Sequence, residues 1–420
     1  MTASDFGVLR GLKVLDLTQA LAGPYATMLL ADHGANVIKV ESLKGDLTRG
    51  AGPFFDDDQS KTHGGYFQSL NRNKKSLAID LKSPAGVDLF LDLVQDTDVV
   101  AENFRHGVME SLGLSYERLQ ERNPKLVYAA LRGFGDKRTG ASDYTEWPAF
   151  DIIAQAMGGI MSITGPENGS PTKVGPGVGD IVPGMFLAFG ILAAVYQTKI
   201  SGKGQFVDVA MVDSILAICE RIIYQHQTHK VAPGPEGNHH PFLMPFGVFP
   251  ASDGQISIAA PSQEFFTSLC HALGLEEIAQ LEGGQASNKN AFEWRAASKE
   301  AVIEKISAET RKYSRSELKS LLGGKVPIGP VMDMADISKD EYFDQRDMLP
   351  QIPEPGSSKM RTVAGLPVKM KETPGSVRTP APHIGQHTRQ VLLDAGYEDA
   401  TINKLFFDGV IKEFKTGGQD

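Results

Sequence analysis

The chain has 420 residues, 41% of them hydrophobic, 22% charged and 8% aromatic, a globular composition long enough for two domains with an ample core. A formal net charge of −9 and a pI near 5.6 offer no basic field to a nucleic acid or an anionic membrane, which leaves any phosphate binding to local patches. Cys219 and Cys270 lie in apolar segments without CxxC spacing, which argues against a disulfide framework or a zinc ribbon and predicts two buried thiols in a reducing cytoplasm.

Met1 to Val8 holds no basic segment followed by an apolar stretch, so no secretory signal is read there. Lys13-Val14-Leu15-Asp16-Leu17-Thr18 predicts a buried strand, followed by a turn at Ala22-Gly23-Pro24, a helix from Tyr25 to His33 ended by Gly34, and a strand from Asn36 to Glu41. This is a β-α-β unit. Its first turn lacks Gly-x-Gly-x-x-Gly, the bare backbone that a dinucleotide pyrophosphate requires, which removes the main support for a nicotinamide cofactor. From the residues alone, Gln19 to Pro24 is either a contact for a nucleotide-like ligand or a plain strand-to-helix turn.

Asn71-Arg72-Asn73-Lys74-Lys75-Ser76 precedes a strand from Leu77 to Leu81, and its cations need either solvent or an anionic partner. A helix from Pro84 to Gln95 leads to a strand from Asp98 to Glu102, whose end places Asn103 at the crevice where α/β sheets bind ligands. A helix pair follows, then a strand from Leu126 to Leu131 ending in Arg132-Gly133-Phe134-Gly135 at another crevice position; Arg132 taken alone reads equally as a surface cation. A further helix is read from Ile152 to Met161.

Gly175-Pro176-Gly177-Val178-Gly179-Asp180 precedes the apolar run Ile181 to Tyr196. A carboxylate there meets unpaired backbone N–H groups and the positive end of a helix dipole, so Asp180 is expected to be ionised. Pro183 is expected in the first turn, where its missing N–H costs nothing, and the glycines leave bare backbone for a ligand to approach. On residues alone Asp180 is either an N-cap or a nucleophile able to form an acyl anhydride. The longest apolar run, Met185 to Tyr196, is too short to span a bilayer.

Beyond Gln205 come a strand from Phe206 to Met211, a helix from Val212 to His229 and a Pro/Gly-rich connection from Lys230 to Asn238. Segments 243–249 and 255–260 flank Asp253-Gly254 as a hairpin, and helices over 263–274, 288–309 and 314–322 complete a smaller α+β domain closed by Val326 to Val331. His226 and His229 share a helix face, yet no Glu completes a metal-binding spacing, and no metal is expected. Helices from Gly385 and Asp399 return the chain to the first domain. The expected boundaries are 1–215 for the large domain, 216–232 for a linker helix, 233–335 for the small domain and 336–420 for the return segment.

Gly179-Asp180, Gly184, Gly190-Ile191-Leu192-Ala193-Ala194, Gly202-Lys203-Gly204-Gln205, Val207-Asp208 and Asp213-Ser214 together resemble the signature of the class III (formyl-CoA-transferase-like) CoA-transferase family, which includes alpha-methylacyl-CoA racemases. Further matches run from Gly11-Leu12-Lys13-Val14-Leu15-Asp16-Leu17 to Gly385-Gln386-His387-Thr388. The resemblance implies an α/β fold with a Rossmann-like large domain, a smaller α+β domain, and an interlocked homodimer in which CoA sits at the interface. It implies that Asp180 is the nucleophile that carries first acyl and then CoA, and that the turn holding Gln19 and Ala22 lines the CoA site. Arg72, Asn73, Lys74 and Lys75 match the family's Asn-x-Asn-Lys-(Lys/Arg)-Ser element and are assigned to CoA phosphates. Asn103, Phe104 and Arg105 match Asn-Phe-Arg-Pro-Gly with His106 in place of the proline; Arg132 and Gly133 are assigned to CoA and Phe134 to the substrate.

Two departures from the family pattern bear on the reaction. Racemases carry Gly-His-Asp where this chain has Ala149-Phe150-Asp151, and phenylalanine moves no proton, which disfavours two-base epimerisation. Formate/oxalate-type members carry a run of glycines near Asn238, His239 and His240, so these three are assigned either to a larger carboxylic acid such as a dicarboxylate or to a layer behind it. The expected activity is CoA transfer from an acyl-CoA to a carboxylic acid through anhydride and thioester intermediates on Asp180, with both as substrates and no prosthetic group. Transfer between two carboxylates of one molecule, racemase-type epimerisation and a non-catalytic CoA-binding protein are the alternatives. No nucleic-acid or membrane partner is expected, and the localisation expected is cytoplasmic.

Overall fold

In the computed structural model, residues 7–59, 61–279 and 298–414 are described. They fall into two units, one built from Met1–Ile160, Val174–Arg221 and Glu341–Asp420, the other from Met161–Lys173 and Ile222–Asp340. Residues 161–173, read from the sequence as part of the large domain, therefore go with the smaller unit.

The described strands are β1 (Lys13–Asp16), β2 (Asn36–Glu41), β3 (Lys75–Ile79), β4 (Val99–Glu102), β5 (Val127–Arg132), β6 (Phe206–Ala210), β7 (Phe246–Ala251), β8 (Gly254–Ala259), β9 (Ile328–Pro330), β10 (Gln351–Pro353), β11 (Met360–Thr362) and β12 (Ile411–Lys412). The large unit holds a seven-stranded sheet in the order β12-β3-β2-β1-β4-β5-β6, parallel except for β12, which pairs antiparallel with β3. Its central strands are buried along their whole length, Val99-Val100-Ala101-Glu102 and Val127 to Arg132, as a sheet covered on both faces requires. Between β1 and β4 the winding direction reverses, and crevices for ligands open at such a point outside the carboxyl ends of the strands.

The return segment is stitched to β3. The Ser76 N–H donates to His387 Nδ1 (3.2 Å), the Gly385 N–H donates to Ser76 Oγ (2.9 Å), and Thr388 accepts from the Ala78 N–H (3.2 Å) while donating to the Lys412 carbonyl (2.8 Å). Asn73, at φ +62°, accepts from the N–H groups of Arg378 (2.8 Å) and Thr379 (3.1 Å).

The helix Val178–Ser201 is 24 residues long and ends on Gly202 at φ +71°. It extends past the apolar run at both ends, so by length and composition it reaches the requirement for a membrane span that the shorter run misses; 44% of its most apolar window is buried within the protein. The helix expected over 212–229 breaks at Cys219 into Met211–Ile218 and Glu220–His229.

In the smaller unit, β7, β8 and β9 form an antiparallel sheet with the β7–β8 turn at Ser252-Asp253, packed against the helices Gln263–Leu273, Lys299–Thr310 and Arg315–Leu322 around Phe249, Ile256, Phe266 and Leu318. Ser314 and Glu317 form a capping box at the start of the last helix. The part of the expected 288–309 helix that covers residues 288–297 lies outside the described residues.

Under the β1–helix turn lies a buried ionic cluster. Lys74 Nζ, with its side chain 0% exposed, contacts Asp16 Oδ2 (2.9 Å), Thr27 Oγ1 (2.8 Å), Asn71 Oδ1 (2.9 Å) and the Pro24 carbonyl (3.1 Å). Lys39 pairs with Asp46 at 2.9 Å and donates to the Thr18 carbonyl at 2.8 Å. Burial opposes the charge on Asp16, but Lys74 and Lys39 overcome it and hold this carboxyl below its usual range. Lys74→Ala strands Asp16 in the interior and is expected to cost about 3–5 kcal/mol, read as a lowered denaturant midpoint; an unchanged midpoint would show that Lys74 has no structural role.

Candidate active site

Beyond the carboxyl ends of β1, β4 and β5 lies a cavity of about 270 Å³. Gln19, Ala22, Asn103, Phe104, Arg105, Arg132, Gly133 and Asp180, all expected at a site, line it together with Leu47, Thr145, Trp147 and Phe150. Asn103 spans the reversal point, accepting from the Gln19 N–H (2.7 Å) and donating to the Gln19 carbonyl (2.8 Å). Its side chain therefore fixes the β1 turn, where Ala20 sits at φ +64°. Arg132 pairs with Glu102 and with Asp136 (2.7 Å) and is buried, whereas Arg105 is exposed and enters no ion pair among the described residues. Gly133 is required for space, because a Cβ there would stand 2.3 Å from that of Ala149.

Asp180 lies within the first turn of the helix Val178–Ser201, which starts from Gly177. The backbone donors expected to be unpaired there are engaged. The Val178 N–H reaches the Pro176 carbonyl (2.8 Å), the Asp180 and Ile181 N–H groups reach the Gly177 carbonyl (3.1 and 2.9 Å), and the Gly179 N–H goes to Asp151 Oδ1 (2.8 Å). The carboxylate of Asp180 itself accepts no hydrogen bond among the described residues.

With burial as the larger cause and the charge of Asp151 as the second, the Asp180 carboxyl is pushed up to about 7. The expectation of a fully ionised Asp180 is corrected accordingly: Asp151 takes the helix-end donor and adds a like charge. Pro183 falls in the second turn rather than the first, where it removes the N–H that would otherwise bond the Gly179 carbonyl. The role expected for the glycines also changes at Gly179, where a Cβ would lie 2.3 Å from the Asp151 carbonyl oxygen, so this glycine serves packing inside the protein. Gly184, further along the helix, is needed for the same reason, since a Cβ there would lie 2.6 Å from the Ala22 carbonyl oxygen.

The cationic element expected to meet CoA phosphates is placed elsewhere. Arg72 is buried against Asp32 (2.7 Å) and the Ala364 carbonyl (2.6 Å), and Lys74 occupies the ionic cluster, so neither presents a free donor to a ligand. Asn73 donates to Asp32 (2.7 Å) and the Ser376 carbonyl (2.9 Å) and holds the return segment; Lys75 is half-buried, 3.9 Å from Asp394. Phe134 packs on Tyr144, with ring centroids 5.5 Å apart, and does not line the cavity.

Asn238, His239 and His240 belong to the smaller unit. Asn238 accepts from the Val248 N–H (3.0 Å), His239 packs edge-on against Phe249 (5.1 Å), and His240 Nδ1 accepts from the N–H groups of Phe242 (3.1 Å) and Leu243 (2.9 Å). Burial depresses the proton affinity of His239. The sequence reading met Asp151 only as the last residue of the segment that matches the racemases' Gly-His-Asp and gave it no role, and it passed over the partner Gln155; the signal for the pair was an Asp and a Gln four residues apart on a helix, a spacing that sets side chains adjacent.

The family model described as CoA-transferase family III matches residues 9–388. A succinyl-CoA:mesaconate CoA-transferase of Haloarcula marismortui is 45% identical over 395 residues, covering 94% of this chain and 98% of its own. A succinate–glutarate CoA-transferase of Agrobacterium fabrum is 36% identical, covering 92% of this chain and 95% of its own. Among solved structures, a CAIB/BAIF family protein from Brucella suis superposes with a TM-score of 0.79 at 32% identity, over 93% of this chain and 100% of that one.

A carboxyl raised to about 7 destabilises the fold wherever the unfolded chain ionises more readily than the folded one. Relative to an uncharged residue, the wild-type side chain carries no penalty below about pH 3.8; the penalty grows between there and about pH 7 and is fully developed above it. Asp180→Asn should therefore raise the thermal midpoint at pH 8 and leave it nearly unchanged at pH 4; equal shifts at both would contradict the burial of a reluctant carboxylate.

Proposed function

This chain belongs to CoA-transferase family III, and from that premise we propose that Asp180 is the nucleophile by which it moves coenzyme A from an acyl-CoA thioester to a carboxylic acid. The observation that carries the reading is Asp180 itself, a carboxylate that accepts no hydrogen bond among the described residues, on the wall of a cavity at the sheet's reversal point.

One oxygen of ionised Asp180 attacks the thioester carbonyl carbon. The C–S bond breaks, and CoA leaves as a thiolate beside a mixed anhydride. The thiolate attacks the aspartyl carbonyl carbon, the anhydride C–O bond breaks, and the donor acid departs as a carboxylate, leaving CoA as a thioester on Asp180. An acceptor carboxylate displaces that thiolate to form a second anhydride, and the thiolate attacks the acceptor's acyl carbon to regenerate Asp180. No proton or electron is lost along this route, so neither a redox group nor a metal is called for, and CoA enters only as substrate.

Gln19, Ala22, Asn103, Phe104, Arg105, Arg132 and Gly133 are proposed as the walls of the CoA site, with Arg105 as the cation open to phosphate. The acids are proposed to be small dicarboxylates, because the relatives named above act on succinyl-CoA with mesaconate and on succinate with glutarate. Phe150 on the cavity wall offers no base, which favours transfer over epimerisation. Phe189, Tyr196 and Ile200 of the long helix are 71, 69 and 66% exposed, and we read this apolar face as the surface a second copy covers in a homodimer rather than as a membrane surface.

Asp180→Ala is expected to lower transfer by about 10³-fold or more while the Kd for CoA stays within about threefold; transfer at the wild-type rate would rule the nucleophile out. Sedimentation should give a dimer mass, and a monomer would refute the second-copy reading.

A further inference from the structure

A second carboxylate stands beside the first with nothing assigned to it. Asp151 opens the helix Asp151–Met157, and its Oδ1 accepts the Gly179 N–H at 2.8 Å, one residue before Asp180. Gln155, one helical turn on and fully buried, donates Nε2 to both Asp151 oxygens (3.0 and 2.9 Å), while its Oε1 accepts the Val174 N–H (2.8 Å). Val174 lies on the strand of chain that leads into the long helix. The carboxylate is thus clamped from one side by a buried amide and from the other by the helix it caps. The approach is so close that only glycine fits at 179, since a Cβ would come within 2.3 Å of the Asp151 carbonyl oxygen and 2.9 Å of Oδ1.

We infer that Asp151 is a positioning residue for transfer: it fixes the first turn from which Asp180 reaches the cavity, and it sets a like charge beside the nucleophile. The inference rests on Asp180 being the nucleophile. Helix ends ordinarily offer their N–H groups to an anion in the first turn and so quiet it. Here Asp151 takes the Gly179 donor, Gly177 takes the next two, and Asp180 is left in a poorly solvated place next to a like charge. A nucleophile in that state attacks a carbonyl more readily once ionised, and its proton affinity near neutral pH keeps the ionised fraction useful.

The other groups that face Asp180 do not supply this effect. Tyr66, on the helix Gly65–Asn71, is uncharged at neutral pH; burial, followed by the charge of Asp180, raises its proton affinity. Arg105 and His106 line the cavity from the β4 loop and Arg132 from the end of β5, where Glu102 and Asp136 neutralise it. Asp46 is paired with Lys39.

The test is the pH profile of kcat/KM for acyl-CoA in two variants, with Asp180→Ala as the reference for loss of the nucleophile. Asp151→Asn keeps an oxygen for the Gly179 N–H and loses the charge; the acidic midpoint, expected at about 7 in the wild type, should fall by about one unit with KM within about twofold. Asp151→Ala loses both the charge and the clamp, so kcat should fall about 10²-fold with KM within about threefold. A wild-type midpoint in Asp151→Asn overturns the inference, and it does so whether or not Asp151→Ala folds. If Asp180→Ala is inactive while both Asp151 variants match the wild type, only this inference fails; an active Asp180→Ala removes the nucleophile itself.

Discussion

Two carboxylates meet at one helix end, and among the described residues only one of them is given a donor. The Gly179 N–H goes to Asp151, which leaves Asp180 with its own backbone N–H tied to Gly177 and its side chain facing a cavity. Much of the local architecture exists to make that meeting possible. Gly179 and Gly184 remove the side chains that would keep the long helix away from Asp151 and Ala22, and Gln155 keeps the capping carboxylate from rotating out toward water. The arrangement works against stability, since a carboxyl near 7 must give up a proton in a place that resists the charge.

What surrounds the pair follows from the sheet. Reversal of winding between β1 and β4 opens the crevice, and Asn103 closes the gap between those strands by pairing with both the backbone N–H and the backbone carbonyl of Gln19. Beneath that turn, Asp16, Lys74, Lys39 and Asp46 neutralise one another away from solvent. These buried charges do not touch the cavity; they hold the turn that does. A small shift of the turn would move Gln19 and Ala22 relative to Asp180, and reactions that depend on positioning are sensitive to shifts of that size.

Local pattern carried the sequence reading far where the signal was local. The alternation of apolar runs with glycine-terminated helices located the parallel strands, and a polar residue at a strand's carboxyl end located Asn103 and the Arg132-Gly133 pair on the cavity. The charges of Arg72 and Lys74 were visible, but their partners were not: Arg72 meets Asp32, 40 positions earlier, and the Ala364 carbonyl, 292 positions later, while Lys74 meets Asp16. A run of cations looks the same in sequence whether it faces a phosphate or a buried carboxylate. The ionisation of Asp180 was misjudged for a related reason, because the donor it was expected to use is taken by a residue 28 positions away from Gly179. The break at Cys219 and the transfer of residues 161–173 to the smaller unit likewise depend on tertiary contacts that no periodicity records.

Covalent chemistry at a single side chain carries the mechanism, and peptide mass spectrometry addresses it most directly. Protein incubated with an acyl-CoA, quenched in acid and digested should yield the Asp180 peptide heavier by CoA less one water, and hydroxylamine should convert that adduct to a hydroxamate. The adduct on any other residue, or none at all in protein that turns over, would contradict the account.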